Sequence, residues 1–357
     1  FCSGLFLSAR WFAVSQLDHD GFQLIVLPDK DSAEYCAADL YNLIEGDRIF
    51  FLPDSGKTLE RSNYKSTLGV QRTSAIGKIL EYEEGKLIVV TYPSALEEGI
   101  PDGKAINESV LHLTVGDEIS HERIVETMFE NGFEKVDFVA EPGQFAIRGA
   151  IVDIFSYSYN DPFRISFFGD EIDSISVFDC NTQLSKEKIH KAQIYPDITL
   201  SEDESGLVNI SDILPDDALI WLDSSDMYRN KDFYSGFDRF RRIYMELPLS
   251  RQNEEAVKFN IAPQPVFNKN FELLTEDIRK RLEDGYRVRI YGEKMSQLER
   301  LKSILSQNGN MLPEFISGCN IHNGFIDNDN KVCCYSDHEI FDRFHRVSIR
   351  RTVEKSE

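Results

Sequence analysis

The chain has 357 residues, 41% of them hydrophobic and 11% aromatic. That composition can fill the cores of two or three domains, and it excludes a disordered or fibrous chain. Lys and Arg number 39 against 61 Asp and Glu, a net charge of −22. A surface this acidic repels phosphate backbones, so it disfavours a general nucleic-acid sleeve and leaves only a local basic patch open.

No apolar run approaches the ~20 residues that cross a bilayer, so no membrane contact is expected. Arg10 and Asp18 bracket too short an apolar stretch for a secretory signal. The six cysteines, Cys2, Cys36, Cys180, Cys319, Cys333 and Cys334, show no CxxC spacing. They read as reduced cytoplasmic thiols rather than a zinc or disulfide framework. Phe1 opens inside an apolar pattern, which reads as a piece of a longer protein.

In chain order, Phe22 to Pro28 is a short apolar run between Gly21 and Pro28, the mark of a buried parallel strand. Asp31 and Ser32 offer an N-cap to a helix carrying Ala33, Cys36, Ala37, Leu40, Tyr41 and Ile44 up to Gly46. Arg48 to Leu52 and Lys86 to Thr91 follow as strands. Strands alternating with helices predict βαβ units and a parallel sheet.

From about Leu111 the texture changes. A helix over His121–Asn131 precedes strand-rich segments at Val136–Ala140, Phe145–Ile154, Phe163–Phe168 and Ile172–Phe178. Gly169-Asp170 reads as a two-residue hairpin loop of type II′. Parallel-sheet texture resumes at Ala218–Leu222. A second α/β unit then runs through a helix at Asn270–Glu283, a strand at Val288–Tyr291, a helix at Lys294–Gln307 and a strand at Lys331–Tyr335.

The expected fold is therefore α/β. A parallel-sheet, helicase-like domain with a degenerate phosphate loop spans 1–108 and 197–250. It is interrupted by a small α+β insert at 109–196 and followed by a second α/β domain at 251–350 and a tail at 351–357. The segment Ser201–Ser205 and the tail are polar and loose.

The motifs that suggest catalysis fail on spacing. Ser55-Gly56-Lys57-Thr58 follows a strand, but a phosphate loop needs Gly five residues before its Gly-Lys pair, and that residue is Phe51. Pro53 removes another amide, and Leu59 to Asn63 is a poor helix opening. Gly4 to Ala9 stands where the first loop of an α/β ATPase would be, yet has no Lys. No DExx box follows a strand. His338, within Ser336-Asp337-His338-Glu339, lacks a nucleophile partner, and Asp337 reads as an N-cap with Glu339 in the first turn. No triad, carboxylate pair or metal box appears. A nucleotide hydrolase remains the rival from the enzyme class.

The most informative stretch is Gly143 to Phe155, followed by Phe163 to Ile175. In a strand, Phe163, Ile165 and Phe167 share one face, and Arg164, Ser166 and Phe168 share the other. Either both faces are buried and Phe168 is core, or Phe168 stands exposed beside Arg164. An exposed ring beside an arginine is the composition of a protein-binding hot spot.

Residues 143–155 (GQFAIRGAIVDIF) and 164–175 (RISFFGDEIDSI) resemble the signature shared by bacterial transcription-repair coupling factors and the excision-repair protein UvrB. Ser8-Ala9-Arg10, in place of an intact phosphate loop, resembles the degenerate N-terminal module of the coupling factors, as does the segment Tyr335 to Arg346. The resemblance runs from Gly4 to Arg346. It departs at Ser156 to Asn160, where the family usually has Pro after the Phe.

The resemblance implies an N-terminal UvrB-like region of an ATP-driven DNA translocase that releases stalled RNA polymerase and recruits excision repair through UvrA. It implies that Arg148, Arg164 and Phe168 bind UvrA, and that neither catalytic residues nor cofactor belong to this fragment. ATP and Mg would serve the parent's motor, and RNA polymerase and duplex DNA would meet parts of the parent absent here. Weak DNA binding is expected, with the basic clusters Arg239 to Arg242 and Arg346 to Arg351 contacting missing domains. Truncating Arg148, Arg164 or Phe168 is expected to spare folding, whereas truncating Phe167 is not.

Overall fold

The computed structural model describes the chain except residues 47, 57–61, 160, 201–205, 224–230, 247–255, 308–311 and 344–357, with the backbone alone at 62–67, 200 and 307. Lys57 and Thr58, the loose segment Ser201–Ser205, Asn160, the basic cluster Arg346–Arg351 and the tail lie outside the described residues.

The first unit is a five-stranded parallel sheet. Its strands lie in the order Arg241–Tyr244, Leu219–Leu222, Phe22–Val26, Leu87–Thr91 and Ile49–Phe51. Leu219–Leu222 is an interior strand although it is distant in sequence, so the chain leaves this sheet after Leu87–Thr91 and later returns to it. Phe22, Leu24 and Val26 pack with Ala75, Ile76 and Ile79 of the helix Ser62–Leu80. Ile25 and Leu27 face the other way, onto the helices Ala9–Gln16 and Lys30–Leu43. Both faces are covered, which is why these strands read as continuous apolar runs. The polar exception, Gln23, is fully buried, and its Oε1 accepts the Trp221 indole N–H at 2.9 Å.

Two local readings need correction. The cap of the helix Lys30–Leu43 is Asp29, whose carboxylate accepts the Ser32 amide at 2.8 Å, rather than Asp31 or Ser32. A carboxylate at Asp29 reaches the third helical amide, whereas one at Asp31 already lies inside the first turn. The supposedly poor helix opening at Ser62 begins a helix of 19 residues. Weak propensity there is overridden by packing. Ala75 and Ile76 are buried in the core, and the buried Arg72 donates to the carbonyls of Pro53, Ala95 and Glu98 at 2.8–3.0 Å.

The insert opens and closes on one two-stranded ladder, Leu111–Thr114 against Lys191–Ile194. Between them stand the helix His121–Glu130, capped by Ser120, and a six-stranded sheet. The sheet order is Ser185–Ile189, Glu171–Phe178, Phe163–Phe168, Ile151–Ile154, Gln144–Arg148 and Glu134–Lys135, antiparallel except for the last pair.

The sequence reading placed a strand at Val136–Ala140, but this stretch is a loop following the short strand Glu134–Lys135. The run Phe145–Ile154 is a hairpin turning at Gly149-Ala150. Gly149 and Gly169 open the two tight loops at φ +62° and +66°, a left-handed start that β-carbon-bearing residues resist. Ser156, where the family pattern has Pro, is buried, and its hydroxyl accepts the Tyr195 amide at 2.9 Å. The local chain is thus pinned by a hydrogen bond where a ring would have stiffened it.

The second α/β unit has a five-stranded sheet in the order Ile261–Pro263, Phe325–Asp327, Val332–Ser336, Arg287–Gly292 and Glu314–Ser317. The last three run parallel and the first two pairings are antiparallel. The helices Phe271–Glu283 and Met295–Gln307 supply Leu274, Ile278, Leu298 and Leu301 to its core. This unit docks on the helix Lys30–Leu43. Asp39 accepts the His322 amide at 2.7 Å, Asn42 donates to the Asn320 carbonyl at 2.7 Å, and Tyr35 stacks on the His322 ring.

A candidate interaction site on the inserted sheet

The two faces of the inserted sheet differ. The inner face carries Phe145, Val152, Ile154, Phe163, Ile165 and Phe167, packed with Ile124 and Met128 of the helix His121–Glu130. The outer face carries Ala146, Arg148, Asp153, Arg164, Ser166 and Phe168, as the period of two requires. One end of this outer face is closed by a small cluster of Val139, Ala146, Phe155 and Phe178 under the loop 136–142. The other end is open. Phe167 is 7% exposed and Phe168 is 83% exposed, so the alternation that left Phe168 undecided resolves outward.

Strand register places Asp153 directly opposite Ala146 on one side and Arg164 on the other. Arg148 lies two residue pairs further along, opposite Ile151. Asp153 is 1% exposed. Its two oxygens receive Arg164 as a fork, Nε at 2.7 Å and Nη2 at 3.0 Å, and Arg148 through Nη2. The Asp153 hydrogen bond raises the Arg164 guanidinium above its ordinary pKa. Arg164 also donates to the Gln183 carbonyl at 3.1 Å and lies over the Phe178 ring at 4.2 Å. Arg148 lies over the Phe138 ring at 5.3 Å, and Phe138 is 63% exposed.

The arginines singled out in the sequence are thus not two independent surface charges. They share one buried counter-ion, because a carboxylate taken out of water must be paired and hydrogen-bonded. The expectation that either could be truncated without cost to folding is corrected accordingly. Arg164 holds the fork to Asp153 and is the costlier loss. Sequence reasoning missed Asp153 and Phe138. The signal for Asp153 was present: one acid interrupts the apolar run Ile151-Val152-Asp153-Ile154 between two arginine-bearing strands. Nothing in the sequence distinguished Phe138 from a core residue.

The other flagged places are closed by internal contacts. At Gly4, a β-carbon would stand 2.2 Å from the Phe259 carbonyl oxygen, so the loop is pressed against backbone. Ser8 donates to Asp39 at 2.5 Å and accepts the Asn323 amide at 2.9 Å. Arg10 pairs with Asp223 and Glu246. In the second loop, the amide of Asp54 goes to the Tyr92 hydroxyl, that of Ser55 to Glu98, and that of Gly56 to the Asp54 carboxylate. A hydroxyl and two carboxylates occupy amide donors of the kind a phosphate would need.

At the helix Asp337–Ile340 the N-cap is Ser336 rather than Asp337, and Glu339 accepts from the Ser336 hydroxyl and the Gly324 amide. His338 is buried. Arg239 and Arg242 of the first basic cluster pair with the Ser211 carbonyl and Asp238. Among the described residues no cluster of His, Cys, Asp and Glu is arranged to hold a metal, and no helix is long and apolar enough to cross a membrane.

The insert is thus a largely antiparallel sheet packed on one helix, with one open outer face, and it interrupts the first α/β unit between the strands Leu87–Thr91 and Leu219–Leu222. Residues 111–199 match the UvrB interaction domain. The chain is 29% identical over 197 residues to the transcription-repair-coupling factor of Bacillus subtilis, covering 54% of this chain and 17% of that protein. It is 32% identical over 190 residues to that of Mycobacterium bovis, covering 51% and 15%. It is also 35% identical over 126 residues to UvrABC system protein B of Francisella tularensis, covering 35% and 18%. The insert is therefore similar to a UvrB interaction domain, and the chain is similar, over about half its length, to transcription-repair-coupling factors. It spans about a sixth of the length of those coupling factors.

Proposed function

We propose that this chain is the N-terminal, UvrB-like module of a cytoplasmic transcription-repair coupling factor, and that it recruits UvrA to nucleotide excision repair at stalled RNA polymerase. The observation that carries the reading is a coincidence of place. The match to the UvrB interaction domain covers the same sheet whose outer face presents Arg148, Arg164 and an 83% exposed Phe168. Arg164 and Phe168 lie on one strand face, four residues and ~13 Å apart. Guanidinium edges beside a bare ring suit a partner surface that offers a carboxylate and an apolar pocket.

In this reading the module is an adaptor with no chemistry of its own. The first α/β unit is read here as a degenerate helicase-like domain, and its loops spend their donors internally. Ser8 is bound to Asp39, and the amides of Asp54, Ser55 and Gly56 are taken by side chains. ATP and Mg, RNA polymerase and duplex DNA belong to other parts of a coupling factor. The test is capture of purified UvrA on the immobilised chain. Stoichiometric retention at micromolar UvrA is expected, and its absence would refute the adaptor role.

A further inference from the structure

We propose that the partner-binding face is larger than Arg148, Arg164 and Phe168: Phe138 is a fourth contact residue, and Asp153 is the positioning residue that aims both guanidinium groups. This deepens the preceding reading and rests on it.

The rings on this face are unusual in kind. A fully buried Phe is ordinary and an isolated exposed apolar residue needs no explanation. Here two phenylalanines, Phe138 at 63% and Phe168 at 83% exposure, belong to the same constellation. Phe138 sits in the loop 136–142 that closes one end of the outer face, and its ring is met by the Arg148 guanidinium at 5.3 Å. Arg148 is in turn bonded to Asp153, and Asp153 to Arg164, which shares its strand face with Phe168. The contacts therefore run ring, cation, buried anion, cation, and a second, bare ring stands ~13 Å from Arg164 along the same strand face. A partner carrying an acidic side chain between apolar ones complements it in charge and in polarity, with the aromatic and arginine anchors that dominate interfaces.

Asp153 serves this arrangement by geometry. It is too deeply buried, at 1% exposure, to touch a partner. Arginine side chains carry substantial rotamer entropy, part of which a partner must otherwise remove on binding. The three N–H···O bonds to Asp153 fix both guanidinium planes beforehand. The same carboxylate cancels one of the two arginine charges, so the pair meets its partner as less than two free cations. Removing the anion while keeping the shape would raise electrostatic attraction and lose aim. Association would hold or quicken while dissociation accelerates, a split that follows from charge acting on encounter and geometry on residence.

The experiment is surface-plasmon kinetics of purified UvrA on the whole chain, with Phe138→Ala, Asp153→Asn, Asp153→Glu, Phe168→Ala, and Val266→Ala as a distant exposed apolar control. Phe138→Ala and both Asp153 variants are expected to dissociate about tenfold faster, the Asp153→Asn association rate being unchanged or higher, and Val266→Ala to match the parent. Dissociation is read from folded, bound molecules, so a mere loss of stability at Asp153 would leave it unmoved. Asp153→Glu keeps the charge but displaces it by a methylene, which provides a second probe if the Asn variant folds poorly. Phe138→Ala dissociating at the parent rate overturns the fourth contact. Both Asp153 variants doing so overturns the aiming role. Either result alongside a weakened Phe168→Ala leaves the adaptor reading standing, whereas an unweakened Phe168→Ala removes the shared surface altogether.

Discussion

The loops of the first α/β unit and the outer face of the inserted sheet are both places where a sequence reader looks for function, and they use their polar groups in opposite ways. Around Ser8 and Asp54–Gly56, donors and acceptors are matched to one another inside the protein. On the insert, matching stops at Asp153, and the rings beyond it are left to solvent. Satisfied polar groups stabilise a fold, and unsatisfied apolar surface invites a partner. Under the proposed function, the insert meets the partner and the α/β unit supports it.

The sharpest way to break this comparison is to exchange the two sides of the strand Phe163–Phe168. Phe167→Ala empties a core position and should cost the insert ~3–5 kcal/mol in chemical denaturation, while Phe168→Ala should change stability by less than ~0.5 kcal/mol. Equal losses would erase the distinction between inner and outer face.

Next in size is Arg72→Met, which strips partners from the carbonyls of Pro53, Ala95 and Glu98. Destabilisation of ~3 kcal/mol is expected, since buried acceptors left unmade carry their full desolvation cost. A neutral variant would show that the Asp54–Gly56 loop is not held from beneath. Arg164→Ala should cost ~1–3 kcal/mol, because Asp153 keeps Arg148 but loses the fork. It thereby separates this arginine from a free surface charge.

A smaller effect is expected at the joint between the α/β units. Burial pushes the Asp39 carboxyl from 3.8 up to about 7, opposed by its bonds from Ser8 and His322. A raised acid holds its proton in the fold where the unfolded chain has released it. The contribution is therefore full below pH ~4 and is lost as pH rises towards about 7. The stability of the parent relative to Asp39→Asn should fall across that window. A difference that stays flat, or grows with pH, would contradict the sign. Smallest of all, millimolar ATP with Mg should leave the thermal midpoint of the chain unshifted. A rise abolished by Lys57→Ala would return the first unit to nucleotide chemistry.

How legible this was depended on the range of the forces involved. The parallel sheet was readable because Phe22–Val26 and Leu87–Thr91 are apolar on both faces, a pattern local to each strand. The alternation in Phe163–Phe168 was equally local, so Phe167 and Phe168 could be assigned to opposite sides, though not to inside or outside. The hairpin at Gly169 announced itself, while that at Gly149 lay within the single strand-rich segment Phe145–Ile154. The helix Ser62–Leu80 escaped because tertiary packing, not propensity, stabilises it. The Asp153 network escaped because it depends on the register of three strands, and register is set by the whole sheet.

The central claim is that the open outer face of the insert is where UvrA docks. The most direct measurement is calorimetric titration of purified UvrA into the chain and into its Phe168→Ala variant, which share one fold and differ by one exposed ring. The account expects the variant to bind at least ~30-fold more weakly, about 2 kcal/mol, with an unchanged thermal midpoint. Equal affinity of the two proteins for UvrA would contradict it.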